Sequence, residues 1–127
     1  MKRVEQAIEH IAENINGKAV LEVACGCAEF SIAAAQTAKS VDGIDLDYLR
    51  LPPSARKTEG FKFTVMDATN MAFAEGSFDA AVMYNAIGHL GAVLEKVLKE
   101  CLRVTKPGGA IFVISSFRID MPIIDEK

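Results

Sequence analysis

The chain has 127 residues, a net charge of −3 and half of its residues hydrophobic. That is enough for one domain with a buried core, and too apolar for a disordered chain. The lack of any lysine or arginine block sets nucleic acid and anionic membrane surfaces aside as partners, and no apolar stretch approaches the ~20 residues that cross a bilayer. The amino terminus turns amphipathic at once, without the apolar centre of a signal peptide. Three cysteines, Cys25, Cys27 and Cys101, suit a reducing compartment, so a cytoplasmic protein is expected. Zinc needs about four ligands, and Cys25-x-Cys27, His10, His89 and Cys101 stand at no ligand spacing, so no metal is expected.

Val4, Ala7, Ile8, Ile11, Ala12 and Ile15 recur at helical spacing with Glu5, Glu9, His10 and Glu13 opposite them. Residues 1–16 therefore read as one amphipathic helix closed by Asn16-Gly17, with His10 on its solvated face. The apolar run Ala19–Ala24 reads as a buried strand. It breaks at the small-residue turn Cys25-Gly26-Cys27-Ala28, after which Phe30–Ala38 reads as a helix. Ser40–Ile44 is a second strand, ending at Asp45-Leu46-Asp47, and Pro52-Pro53 leaves room for at most a short helix through Ser54–Glu59. Phe61, Phe63 and Val65 alternate with Lys62, Thr64 and Met66, the pattern of an edge strand blunted by its lysine, which stops at Asp67.

Residues 68–77 read as a loop, and Phe78–Tyr84 as a strand that ends at Asn85. Gly88-His89-Leu90-Gly91 leads into a long helix with Val93, Leu94, Val97, Leu98, Cys101 and Leu102 on its inner stripe. Glu95/Lys99 and Lys96/Glu100 are candidate i,i+4 pairs on its exposed face. Thr105–Gly109 is a turn, and Ala110–Ser116, apolar nearly throughout, reads as a strand buried on both faces. Residues 117–127 form a tail without clear periodicity. Strands alternating with helices predict an α/β fold in a single domain, a doubly wound, mainly parallel, Rossmann-like sheet of about five strands.

The first strand, its small-residue turn and the helix start would present backbone N–H groups to a ligand at the carboxyl edge of that sheet. A dinucleotide fingerprint would want glycine at positions 24, 26 and 29, where this chain has Ala24, Gly26 and Glu29. Glu29 would set a negative charge against a pyrophosphate, which disfavours NAD and FAD, and no Gly-Lys-Ser/Thr loop is present. Glu22, Asp45, Asp67 and Asn85 lie at the ends of successive strands, which converge on one crevice. Asp45 is placed to accept from the two hydroxyls of a ribose, and Asp67 from an exocyclic amine such as that of adenine, with Leu46 and Ala68 as apolar walls. Glu22 and Asn85 flank the turn where an α-amino group or a sulfonium would find negative charge or carbonyl dipoles. The implied ligand is an adenosine with a cationic amino-acid arm and no phosphate.

Five stretches in order carry a resemblance: Val20–Phe30, Gly43-Ile44-Asp45, Val65-Met66-Asp67-Ala68, Gly76-Ser77-Phe78-Asp79-Ala80 and Arg103-Val104-Thr105-Lys106-Pro107-Gly108-Gly109. Over roughly residues 18–117 the chain resembles the class I S-adenosylmethionine-dependent methyltransferases, particularly the small-molecule branch often labelled methyltransferase type 11. The resemblance implies S-adenosylmethionine as cofactor, with Ala24, Cys25 and Gly26 beneath its methionine part. It sets Asp45 at the ribose, Asp67 at the adenine amine and Asn85 near the amino-acid end. Methyl transfer to a small-molecule acceptor follows, with no catalytic residue assigned. The alternative is a non-catalytic cofactor-binding or interaction subunit that a partner completes.

The chain also departs from the family pattern. Ala24 and Ala28 stand where the turn usually has its first and third glycines. Ala24 is expected to be a mild change, and Ala28 to carry strain of ~1–2 kcal/mol if its φ is positive. Two prolines interrupt a segment that the family builds as a fuller helix. The sequence reaches only the fifth strand of the fuller sheet, without its terminal hairpin. The free edge of 110–116 therefore predicts a homodimer or a partner chain along that strand, unless the tail, with Ile119, Met121, Ile123 and Ile124, folds back over it.

Overall fold

The computed structural model describes residues 2–115. Two helices, α1 (Arg3–His10) and α2 (Ala12–Ile15), divide what the periodicity reads as one. Ile11 stands between them at φ −115°, ψ 20°, out of helical geometry. The break leaves the apolar stripe in line, so Val4, Ile11 and Ile15 are all buried. β1 (Ala19–Val23) follows, then the turn and α3 (Glu29–Ala34). α3 is shorter than the expected Phe30–Ala38 because the chain turns after Ala34, whose carbonyl accepts from both Thr37 and Ala38, and Ala38 forms an antiparallel bridge with Asn16.

β2 (Ser40–Asp45), a 3-10 turn (Pro53–Lys57), β3 (Phe61–Val65) and β4 (Phe78–Tyr84) come next. The expected long helix is preceded by α4 (Ile87–Leu90) and a 3-10 turn (Gly91–Val93), and itself is α5 (Leu94–Val104), leading into β5 (Thr105–Ile114). The five strands form one parallel sheet in the order β3-β2-β1-β4-β5, with β1 at its centre and β3 at an edge as expected.

Strand alternation divides the core between the two faces of the sheet. Leu21 and Val23 of β1 pack with Val97, Cys101 and Val104 of α5 on one face. Val20, with Phe30 of α3 and Ile11 and Ile15 of the amino-terminal helices, builds the other. Each of these side chains, removed from water, stabilises the fold by about 1.5–3 kcal/mol.

Three expectations are corrected here. Leu102 and Val93, expected on the inner stripe, are 67% and 38% exposed, while Val104 is fully buried. Glu95 and Lys99 do pair, at 3.7 Å, but Glu100 turns away from Lys96 to Arg103 at 2.8 Å and to the Met71 N–H at 2.6 Å. Arg103 donates in turn to the carbonyls of Met71 and Phe73, which fastens the β3–β4 loop to α5. Finally, β5 is not buried on both faces: Ile111, Phe112 and Ile114 are half-buried and Val113 is 47% exposed. β5 ends the sheet among the described residues, so no neighbouring strand covers its far side. Its pairing passes from Phe78–Thr105 to Ala80–Ala110, so residues 106–109 loop out and regular pairing runs to Tyr84–Ile114. Ser116 and the tail 117–127 lie outside the described residues. Among those residues no helix is long and apolar enough to cross a membrane.

Candidate functional site

The turn after β1 is built from alternating left-handed residues: Ala24 at φ 57°, Gly26 at 55° and Ala28 at 64°. The strain expected at Ala28 is therefore present, and Ala24 is not the milder case. Each alanine holds a conformation that brings Cβ against a carbonyl, at about 1–2 kcal/mol. Most of the N–H groups at the turn are used internally. Cys25 donates to the Ile44 carbonyl at 2.9 Å, Gly26 to Asp45 Oδ2 at 2.8 Å and Ala28 to the Cys25 carbonyl at 2.7 Å. Asp45 Oδ1 accepts from its neighbour, the Leu46 N–H, at 2.8 Å, so one carboxylate ties the end of β2 to the turn.

Glu22 alternates with Leu21 and Val23 and so points to the α3 side, where it is 1% exposed. Its Oε1 accepts from the Ser31 N–H at 3.1 Å and from the Ser31 hydroxyl at 2.6 Å. Burial drives its pKa up to about 8; the two Ser31 bonds oppose this, and the charges of Asp45 and Glu29 add to it. Burial, reinforced by Glu22 and Asp45, likewise pushes the Cys25 thiol far above its ordinary range. Cys25 fits because residue 43 is glycine: a Cβ there would stand 3.0 Å from Cys25 Sγ and 2.8 Å from the Phe61 ring.

At the carboxyl edge lie two cavities. The larger, about 380 Å³, has Asp45, Asp67 and Thr69 among apolar Ile44, Met66, Ala68, Leu90 and Val97, with Leu46 at its rim, 71% exposed. Asp67 accepts from the Thr69 N–H at 2.9 Å and hydroxyl at 2.8 Å, and these bonds hold its carboxyl below the usual carboxylate range. The smaller cavity, about 220 Å³, is polar: Glu22, Glu29, Tyr84 and Asn85 surround the turn residues Cys25, Gly26 and Cys27. Asn85 is also left-handed, at φ 56°, and its N–H donates to Ile114, the last residue of β5. Ala24, Arg50 and His89 line both cavities and so form the junction between them.

All nine residues singled out from the sequence line one or both cavities: Glu22, Cys25, Gly26 and Asn85 the smaller, Asp45, Leu46, Asp67 and Ala68 the larger, and Ala24 both. Met66, Thr69, Leu90 and Val97 escaped the sequence reading, as did Arg50. The helical stripe already marked Val97 as buried, but nothing in it said that this face borders a cavity. Arg50 sits in the aperiodic stretch Tyr48-Leu49-Arg50-Leu51 and gave no signal. Among the described residues no cluster of three or more His, Cys, Asp or Glu side chains is arranged to hold a metal ion.

A five-stranded parallel sheet whose carboxyl edge carries an apolar chamber, a polar chamber and an aspartate at the end of β2 defines the class, a Rossmann-like α/β fold. The family follows from comparison with known proteins. Residues 21–113 match the family described as the methyltransferase domain, and the chain belongs to it. A demethylmenaquinone methyltransferase of Paenarthrobacter aurescens is 36% identical over 101 residues, covering 80% of this chain and 39% of that protein. The chain spans between 39% and 53% of the length of the curated relatives it matches. Among solved structures, a SAM-dependent methyltransferase from Methanosarcina mazei is 28% identical with a TM-score of 0.66, over 82% of this chain and 55% of the other. The [4+2]-cyclase SpnF shares the fold with a TM-score of 0.73 at 24% identity, over 86% of this chain and 44% of the cyclase.

Proposed function

We propose that this domain binds S-adenosylmethionine across the two cavities and serves methyl transfer to a small-molecule acceptor. The observation that carries this reading is the chemical division of the cleft: an apolar chamber lined by the acceptor carboxylates of Asp45 and Asp67, joined through Ala24 to a polar, acidic chamber. That arrangement fits an adenosine in the larger chamber and a cationic amino-acid arm in the smaller.

Asp45, whose two oxygens each keep a lone pair beyond the Gly26 and Leu46 N–H bonds, would accept from the ribose hydroxyls. Asp67 would take the adenine amine on Oδ2, since Thr69 occupies Oδ1. Met66, Ala68, Leu90 and Val97 would keep water from the faces of the base, and Glu22, Glu29 and Asn85 would face the cationic arm. When bound, S-adenosylmethionine supplies an activated methyl group on sulfur. The task left to these residues is alignment and exclusion of water, with a base required only where the acceptor must lose a proton.

For the acceptor, the names of the curated relatives favour an apolar ring compound of the demethylmenaquinone type. Leu46 and Val93 line the larger cavity yet remain 71% and 38% exposed, an apolar rim that suits such a molecule. Calorimetric titration with S-adenosylmethionine and S-adenosylhomocysteine tests the binding, with micromolar affinity expected. Transfer of a labelled methyl group to a quinol precursor tests the reaction. Binding without transfer to any acceptor would favour the second reading, a cofactor-binding subunit completed by another chain. The half-exposed outer side of β5 supports that reading, with a second copy or a partner strand along residues 110–116. Light scattering with Ile114→Lys tests it: an associated wild type and a monomeric variant are expected.

A further inference from the structure

Arg50 lies beyond the end of β2, exposed, and makes no hydrogen bond or ion pair with the described residues. Its guanidinium group rests on Gly26. A Cβ built on that glycine would stand 3.0 Å from Arg50 Cζ, 3.0 Å from Nη1 and 3.2 Å from Nη2. The group is held over the turn because residue 26 has no side chain, and it stands at the junction of the two cavities.

The electrostatics of the smaller cavity give this placement a meaning. Its lining includes two carboxyl side chains, Glu22 and Glu29, and Arg50 is the one lysine or arginine among the described residues that line it. The arm of S-adenosylmethionine is an α-amino acid and carries a carboxylate as well as an ammonium group. The N–H groups of Cys25, Gly26 and Ala28 already have acceptors within the protein, which leaves that of Cys27 as the turn's remaining backbone donor. Glu29, the first residue of α3, opposes an anion at the helix start. Beside the imidazole of His89, an anion in this chamber has one permanent cation to meet, and a planar guanidinium matches a carboxylate in two parallel hydrogen bonds.

Resting on the cofactor reading above, we infer that Arg50 is the residue that binds the carboxylate of the cofactor's amino-acid arm. Glu29 then takes the ammonium side, and the chamber recognises the whole zwitterion. The charge at Arg50 belongs to the arm alone, while the adenosine rests on Asp45 and Asp67. Ligands with and without the arm therefore separate this role from any other.

The experiment is calorimetric titration of the wild type, Arg50→Ala and Arg50→Lys with S-adenosylhomocysteine and with 5′-methylthioadenosine, which keeps the adenosine and the sulfur but lacks the amino acid. Arg50→Ala is expected to lose about tenfold or more in affinity for S-adenosylhomocysteine and to keep 5′-methylthioadenosine within about twofold, which also shows that the variant is folded. Arg50→Lys, retaining charge without the fork, is expected to recover part of the loss. Equal losses for both ligands, an unchanged affinity for S-adenosylhomocysteine, or tighter binding of both once the guanidinium is gone would each overturn the assignment. A wild type that binds neither ligand would overturn the cofactor reading itself, and the role of Arg50 with it.

Discussion

The two cavities differ in what their walls are made of and in how the chain reaches them. The larger is assembled late, from the ends of β2 and β3 and from α4 and α5, with Asp67 exposed and bonded within its own loop and Asp45 half-buried and tied to the turn after β1. The smaller is built mainly by the turn after β1 and the end of β4, with Arg50 and His89 shared between the two, and its carboxyl Glu22 is sealed beneath it. Carboxyl groups thus do different work two strands apart. Asp67 is held ionised by the bonds from Thr69, while Glu22 is held protonated by burial up to about pH 8. A flat, uncharged ring needs walls and an acceptor at its rim; a charged arm needs counter-charges, which must be desolvated or left in water. The smaller chamber is where this protein stores unfavourable electrostatics and backbone strain.

The largest effect expected from breaking that difference is on stability against pH. The folded chain keeps a proton on Glu22 that the unfolded carboxyl releases near pH 4.5. Its contribution is therefore fully present below pH 4.5 and is lost as pH rises through about 8. The fall is on the order of a few kcal/mol. Urea midpoints between pH 5 and pH 8.5 should decline in the wild type, and the slope should flatten in Glu22→Gln, which keeps an acceptor for Ser31 without the charge. An identical slope in the variant would mean that Glu22 is ionised in the fold. Asp67, lowered rather than raised, acts at the acid end, its contribution present at neutral pH and lost as pH falls below its depressed pKa.

Next in size is Asp45→Ala, at the junction. It removes the acceptor for Gly26 and the proposed one for the ribose, and losing a hydrogen bond to a charged group costs about 1.5–3 kcal/mol. Calorimetry should show tenfold or greater weakening for S-adenosylhomocysteine and for 5′-methylthioadenosine alike, unlike the selective loss at Arg50. Gly26→Ala should follow, with about 1–2 kcal/mol of lost stability from its positive φ and a further loss of affinity as the guanidinium of Arg50 is lifted away; thermal unfolding and titration measure the two parts. The smallest effects are at the strained alanines. Ala28→Gly releases about 1–2 kcal/mol, but gives up a buried methyl worth ~0.8 kcal/mol and adds ~0.4–1 kcal/mol of unfolded-chain entropy, so its unfolding midpoint should barely move. Ala24, half-buried, gives up less, and Ala24→Gly should gain a few tenths of a kcal/mol.

The larger part of the cleft could be read from the sequence because its marks are local. Asp45, Asp67 and Asn85 each end an apolar run, and a polar residue at a strand end in a parallel sheet faces the carboxyl edge whatever the rest of the chain does. The left-handed turn was legible as a question, since three alternating small residues name the positions where φ is positive. What escaped depends on neighbours that no window of sequence contains. The stripe Val4 to Ile15 is unbroken although the helix breaks at Ile11, because a kink that preserves the face leaves the pattern intact. Glu100 stands four residues from Lys96 but three from Arg103, and the loop backbone at Met71 decides between them. Ala110–Ile114 is apolar enough for a strand buried on both faces, and only the burial of the described residues shows it half-exposed. Arg50 has no pattern at all; its meaning comes from the bare α-carbon of Gly26, distant in sequence and adjacent in space.

The distribution of the three thiols has a practical consequence. Cys25 and Cys101 are buried, and burial raises both thiols, the second to about 11, so neither offers a thiolate to a reagent. Cys27 is exposed, and it lines the smaller cavity. A maleimide or iodoacetamide added to the folded chain should therefore mark that one position first. Anything that settles in the chamber should slow the marking, including molecules too weak for calorimetry or acceptors not yet identified. Mass spectrometry of the labelled protein becomes an occupancy gauge with its probe already written into the sequence, and a library of metabolites can be ranked by protection alone.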